Sequence, residues 1–219
     1  MVKRIHVLVE GFTEETFVNM VLAPHLVNYN IFADATSVYT KIVGGRRAYR
    51  GGVNSYGKIK NDLVNLLKGD PSACAVTTMF DYYAFPTDIP GYDSQPTQGC
   101  YEKANYLENQ IFMDVNDPRL IPNLLVHEFE ALLFSDPTCI ATVFNGKGTD
   151  DLNEIVSLCG APENINNSPE TAPSKRLLMI YPNYSKVLHC SLIIPKIGLD
   201  IIRVRCPHFN NWLNTLENL

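Results

Sequence analysis

The segment of residues 4–10, RIHVLVE, most constrains the fold, because a nearly unbroken apolar run ends in an acid at Glu10. Such a run indicates a strand buried on both faces, which is typical of parallel sheets. Gly11 follows as a turn, and then apolar residues that include Phe17 and Val21 recur at helical spacing. A buried strand that leads directly into a helix predicts an α/β protein.

The rest of the first half repeats this alternation. Further strands are predicted at 36–43, 73–80 and 122–126, and helices at 57–67, 101–112 and 128–134. This order implies a mostly parallel sheet with helices on both faces. The second half is predicted to be mainly helical, with helices at 150–159 and 207–216. We therefore expect a single domain over 1–219, with a sheet core at 1–136 and a helical extension at 137–219.

Composition excludes several classes of protein. The 219 residues are 46% apolar and 19% charged, which argues against a disordered tail or a coiled coil. No apolar run is long enough for a bilayer, and the N-terminal strand pattern leads us to expect neither a secretion signal nor a membrane partner. Six cysteines without a C-x-x-C pair favour reduced thiols, so a cytoplasmic location is expected. A net charge of −5 gives no bulk attraction to nucleic acid.

Acidic residues follow the predicted strands at the points where those strands end. Glu10 and Asp81 each close a strand, and Glu128 and Glu130 follow the fourth. Ligands of open α/β sheets bind at the carboxyl ends of the strands. Grouped carboxylates oppose one another's ionisation unless a cation neutralises them, and Mg²⁺ prefers such oxygen ligands. The pattern therefore predicts a site for Mg²⁺ or Mn²⁺.

Glu14, His127 and Glu128 have two interpretations each. Glu14 lies one helical turn after Glu10, where it can face the same metal or serve as a favourable first-turn acid. His127 and Glu128 can act as metal ligand or acid–base groups. They can equally be a packed histidine and a carboxylate that begins a helix.

Basic residues provide candidate phosphate contacts. Lys175 and Arg176 follow a proline-rich loop and can hold a scissile phosphate, or they can be a solvated helix start. Arg46 and Arg47 follow two glycines and, with tyrosines nearby, form the best local nucleic-acid patch. Arginines on a loop are also commonly just solvated.

Five segments together resemble a known family. They are VEGFTEETF at 9–17, FDYYAFP at 80–86, HEFEALLFSDP at 127–137, APSKR at 172–176 and CPHFNNWL at 206–213. The first resembles the opening motif of the Toprim fold, in which glycine and a helix follow a strand-end glutamate. The whole set resembles a bacterial domain-of-unknown-function family, number 4276, of Toprim-like proteins.

This resemblance implies a Toprim/Rossmann-like fold and phosphodiester chemistry. It assigns metal binding to Glu10, Glu14 and Asp81 and favours Glu128 over Glu130 as a further ligand. It places Glu10 and Asp81 in catalysis, and we expect Lys175 to assist them. It also implies an ABC-type or AAA-type ATPase encoded nearby and a role in anti-phage defence.

The second motif departs from the Toprim pattern, since Tyr83 stands where a second aspartate is usual. A second metal would then use Asp88, Glu128 or Glu130, or be absent. We expect a metal-dependent nuclease that acts on DNA rather than RNA. The alternatives are a degenerate Toprim module that binds and regulates the ATPase, and transfer of a phosphoryl or nucleotidyl group to a small nucleotide. Assembly into a homo-oligomer stays open.

Overall fold

The computed structural model shows a parallel sheet covered by helices, which confirms the predicted α/β class. The parts of the chain that the structure describes are residues 2–38, 41–43, 46–48, 53, 55–83, 85–165, 168 and 170–219, with the backbone alone at 41–43 and 46–48. The strands are β1 (Lys3–Val9), β2 (Ile31–Ser37), β3 (Lys41–Val43), β4 (Arg46–Ala48), β5 (Ala75–Asp81), β6 (Leu120–Ile121) and β7 (Leu124–Leu125). The main sheet has the order β2-β1-β5-β6, with β7 paired to β5 beyond β6, and every pairing in it is parallel. Strands β3 and β4 form a separate antiparallel ribbon.

Helices make up most of the chain after β7, as predicted. The α-helices are α1 (Phe12–Phe17), α2 (Ala23–Leu26), α3 (Tyr56–Gly69), α4 (Cys100–Val115), α5 (Pro137–Val143), α6 (Thr149–Cys159), α7 (Pro173–Ile180), α8 (Lys186–Ile197), α9 (Leu199–Arg205) and α10 (Pro207–Glu217). A π-helical turn (Val18–Leu22) joins α1 to α2. Among the described residues, no helix has both the length and the apolar character needed to cross a membrane.

Two hydrophobic clusters cover the two faces of the sheet, because side chains alternate along each strand. Met79 of β5 belongs to a cluster with α1, α5 and the helices α6 to α10. Its neighbour Phe80 belongs to a second cluster with α3 and α4. The C-terminal helices therefore share one continuous core with the sheet.

The predicted second strand, 36–43, contributes its first two residues to β2 and its last three, as β3, to the separate ribbon. Strand β2 runs over Ile31–Ser37, and its last residue pairs with Val9 of β1. This strand lies at the edge of the sheet, where its sequence, IFADATS, includes the exposed Phe32. An edge strand lacks the continuous apolar run that marks a buried strand, so the apolar pattern does not indicate where β2 begins.

The predicted fourth strand, 122–126, is broken into the short pieces β6 and β7. The hydroxyl of Thr78 bridges the break: it donates to the carbonyl of Asn123 at 2.8 Å and accepts from that residue's N–H at 2.7 Å. The helix predicted at 128–134 is a buried 3₁₀ helix (Phe129–Ser135) instead of an α-helix.

The order of strands creates a crevice at their carboxyl ends. From β1 the chain passes to α1 on one face of the sheet, while from β5 it passes to α4 on the opposite face. Strands β1 and β5 are neighbours, so the connections that leave them diverge. Such a switch point is where ligands of open α/β sheets bind.

Candidate carboxylate–lysine site

Glu10 and Asp81 meet at this switch point. The parallel register pairs Val9 with Met79, so the residues that end the two strands come side by side. The backbone N–H of Asp81 donates to Oε2 of Glu10 at 3.3 Å. Oδ1 of Asp81 accepts from the backbone N–H of Phe129 at 2.7 Å, which fixes the direction of the carboxylate.

The ammonium group of Lys186 lies among three carboxylates. Its Nζ is 3.0 Å from Oδ2 of Asp81, 3.1 Å from Oε1 of Glu14 and 3.4 Å from Oε2 of Glu130. The ring of Phe129 lies beneath it, with its centroid 5.8 Å from Nζ. Lys186 is the first residue of α8, so this helix brings a cation to the end of the sheet. We call Glu10, Glu14, Asp81, Glu130 and Lys186 the carboxylate–lysine cluster.

Helix α1 separates the roles of its two first-turn glutamates. Glu15 accepts a hydrogen bond from the hydroxyl of Ser37 at 2.7 Å, which ties it to β2. Glu14 is 2% exposed and faces Lys186. Its Oε1 lies 3.1 Å from Nζ of Lys186, and no other group in the described part of the chain pairs with this buried oxygen.

Burial dominates the electrostatics of the cluster. Burial, reinforced by Asp81, raises the pKa of Glu10 from 4.5 to about 8, and Lys186 only partly offsets this. Burial also raises the pKa of Glu130 to about 7 and that of Glu14 above its ordinary value, against the opposing charge of Lys186. Burial alone would lower the pKa of Lys186, but the acids around it hold that pKa well above its ordinary value.

The positions of Glu128 and Glu130 are the reverse of the expectation. Both oxygens of Glu128 accept from Ser174 at the start of α7, Oε2 from the N–H at 2.9 Å and Oε1 from the hydroxyl at 3.1 Å. Glu130, at 2% exposure, takes the place beside Lys186. Asp88, the other alternative for a second metal, accepts hydrogen bonds from Tyr56 N–H and the Ser55 hydroxyl at the start of α3.

The predicted basic residues lie apart from the cluster or outside the description. Lys175 is exposed on α7 and has no ion pair to any described residue. Arg176 donates from Nε to the carbonyl of Thr171 at 2.8 Å and lines a surface groove next to α6. Arg46 and Arg47 belong to β4 by their backbone, but their side chains lie outside the described residues.

His127 is a buried histidine at a strained position. Its φ of 66° is in the left-handed region, and its carbonyl accepts from the N–H of Tyr83 at 2.7 Å. Burial and the charge of Lys103 lower its pKa to about 4, so its imidazole is neutral at pH 7. Its Nδ1 has no hydrogen-bond partner among the described residues.

Lys186 was not among the predicted site residues, although its position in the sequence indicates a nearby negative charge. It is a cation at the first position of a largely apolar helix, KVLHCSLIIPKI. The positive end of a helix disfavours a cation there, so a lysine at that position indicates an external source of negative charge. The cluster supplies that charge.

The donor chemistry of the cluster fits a divalent metal such as Mg²⁺ or Mn²⁺. Four carboxyl groups surround one ammonium group, and burial together with the neighbouring acids raises the pKa values of Glu10, Glu14 and Glu130. Glu10, Asp81 and Glu14 are the residues that would hold such an ion. Within the described ranges, no three His, Cys, Asp or Glu side chains are already arranged as a coordination set.

Comparison with models of protein families identifies the family of the chain. The model of a family described as "Domain of unknown function (DUF4276)" matches residues 9–217. That range includes every residue of the carboxylate–lysine cluster. Searches of curated proteins and of solved structures found no match.

Proposed function

The chain belongs to the DUF4276 family, and we propose that it is a metal-dependent phosphodiesterase of Toprim type that cleaves nucleic acid. The observation that carries the proposal is the convergence of Glu10, Glu14 and Asp81 at the switch point of the sheet. Carboxylates from separate elements, buried against their own repulsion, are the arrangement that a divalent cation stabilises.

The residues of the cluster would have different roles in such a reaction. A bound Mg²⁺ would polarise the phosphate and supply a water of lowered pKa. Lys186 is placed to hold a non-bridging phosphate oxygen and to stabilise the charge that develops on it. Glu130, buried beside Lys186, is placed to accept a proton from an attacking water.

Phe12 supports nucleic acid as the substrate class. It is the first residue of α1, lies between Glu10 and Glu14 in the chain, and is 61% exposed. An exposed ring beside a phosphodiesterase site can stack a base, and stacking does not require a positive surface. This suits a chain with a net charge of −5. We propose DNA rather than RNA as the substrate.

The test is cleavage by the purified chain. Plasmid DNA, single-stranded DNA and RNA are each incubated with Mg²⁺ or Mn²⁺, beside Glu10→Gln and Asp81→Asn variants. Glu102→Gln, an exposed glutamate on α4, is the matched control. The proposal is supported if the wild type and Glu102→Gln cleave nucleic acid and both cluster variants do not. Cleavage that the cluster variants retain would contradict it.

A second candidate is a regulatory module that has lost catalysis. Lys186 already lies among Glu14, Asp81 and Glu130, and Tyr83 replaces an expected acid. In this case the ammonium group is a permanent substitute for a metal, and the domain acts by binding a partner ATPase. Absence of both divalent-metal binding and cleavage, alone and with the neighbouring ATPase of an anti-phage system, would favour this candidate.

A further inference from the structure

A surface groove lies between α6 and α7, away from the switch point. Its volume is about 580 Å³. Helix α6 contributes Asp151, Glu154, Ile155 and Leu158, which follow one another at helical spacings of three, one and three residues. They therefore form one stripe along the helix, facing the groove.

Helix α7 forms the opposite wall. Met179 and Ile180 lie one turn beyond Arg176 on the same side of this helix. Met179 and Leu158 are each 78% exposed, which is unusual for apolar side chains on facing walls of one groove. Both walls of the groove thus present apolar side chains that are exposed to water in the free chain.

The ends of the two helices are held together, so the groove is preformed. The hydroxyl of Tyr181 donates to the carbonyl of Lys147 at 2.6 Å. A Cβ added to Gly148, which has a φ of 75°, would lie 2.5 Å from Cγ2 of Ile180. This close approach fixes the start of α6 against the end of α7. Binding here would not require the walls to be built first.

The rim of the groove is acidic. Asp151, Glu154 and Glu170 line it, and none of them has an ion pair to a residue in the described part of the chain. Arg176 is the cation of the lining, and its Nε is already committed to the carbonyl of Thr171. A lining that combines exposed apolar side chains with these acids is complementary to a segment that is apolar on one side and cationic at its edges.

We propose that this groove docks a cationic amphipathic helix of a partner protein. Apolar side chains one and two turns apart would contact Leu158 and Met179, and flanking lysines or arginines would face Asp151 and Glu154. The inference does not depend on the chemistry of the carboxylate–lysine cluster. It identifies the partner by its binding segment alone.

The probe is a fluorescein-labelled helical peptide of leucine and lysine with leucines at i, i+4 and i+7. Its anisotropy is measured with the full chain, beside a matched peptide in which glutamate replaces every lysine. The lysine peptide should bind at least tenfold more tightly. Leu158→Ala with Met179→Ala should weaken its binding about tenfold, while Val204→Ala, equally exposed on α9, should not.

Charge reversal gives the sharper outcome. Asp151→Lys with Glu154→Lys should exchange the preference, so that the glutamate peptide becomes the better ligand. These side chains are exposed, so folding should be unaffected, as circular dichroism would verify. Equal binding to all variants would overturn the proposal. Dimerisation through the groove would also overturn it. In that case light scattering would detect a dimer that Leu158→Ala dissociates and the peptide does not, and a second copy of the chain would be the occupant.

Discussion

Nζ of Lys186 lies 3.0 Å from Oδ2 of Asp81, although 105 positions separate the two residues in the chain. This ion pair joins the end of β5 to the start of α8. It therefore connects the acid at the end of β5 to the helical second half of the chain, and both halves contribute to the site.

Replacement of Lys186 by methionine should destabilise the protein. The change leaves Glu14, Asp81 and Glu130 without their cation while it keeps the length of the side chain. Loss of one partner from a buried ion pair costs about 3–5 kcal/mol. Because a third of the Lys186 side chain is exposed, we expect about 2 kcal/mol in urea unfolding without divalent cations.

Lys175→Met is the control for this change. Lys175 is exposed and has no ion pair to a described residue, so its replacement should alter the free energy of unfolding by less than about 0.5 kcal/mol. Equal effects of the two variants would show that the pairing of Lys186 contributes nothing to stability.

The stability of the metal-free protein should fall as pH rises towards 8. Folded Glu10 keeps its proton up to about pH 8, whereas its ordinary pKa is 4.5. The folded state binds more protons between these values, so the stabilisation is complete below pH 4.5 and is lost as pH approaches 8. Glu130 contributes in the same direction up to about pH 7.

Glu10→Gln should therefore flatten this pH dependence. The fall in the free energy of unfolding between about pH 5 and pH 8 should shrink by about 1–2 kcal/mol relative to the wild type. Urea unfolding at both pH values measures it, with Glu102→Gln as the control. An unchanged fall would mean that Glu10 does not keep its proton in the folded protein.

Glu163→Ala should destabilise the start of α10. The buried carboxylate of Glu163 accepts from the N–H groups of His208 and Phe209, both at 3.0 Å, and so caps this helix from a distant segment. Its loss leaves two buried donors without a partner, and we expect a cost of about 2–3 kcal/mol. Thermal unfolding measures the loss of stability. Asp136→Ala, which removes the partly exposed cap of α5, is the comparison and should cost about 1 kcal/mol.

Phe12→Ala should weaken binding of single-stranded DNA by about tenfold, since one stacked base contributes about 1–3 kcal/mol. Phe12 is exposed, so stability should stay within about 0.5 kcal/mol of the wild type. Phe32→Ala, an exposed phenylalanine on the edge strand β2, is the matched control. Binding is measured by fluorescence anisotropy with a labelled oligonucleotide, and equal losses from both variants would contradict a specific role for Phe12.

Part of the fold and site could be predicted because local patterns determine them. The buried runs of β1 and β5 mark the central strands, and the switch-point rule brings Glu10 and Asp81 together. The position of Glu14 one turn along α1 follows from helical spacing alone. These features depend on short segments and on one general rule of sheet topology.

The rest depends on packing between segments that are distant in sequence. Glu130 instead of Glu128 reaches the cluster because the chain turns sharply at His127 and continues as a 3₁₀ helix, in which side-chain directions differ from those of an α-helix. Lys186 reaches it because α8 packs against α1 and the 3₁₀ helix. No periodicity within α8 indicates where its first residue will lie.

The cluster draws its members from near both ends of the chain and from its middle, and this has a consequence for synthesis. Until the ribosome has released Lys186, the acids contributed by α1, β5 and the 3₁₀ helix have no internal counterion. A nascent chain must keep them hydrated or protonated, and it cannot yet pack that edge of the sheet. The carboxylate–lysine cluster is therefore among the last parts to assemble, and a half-made chain lacks it.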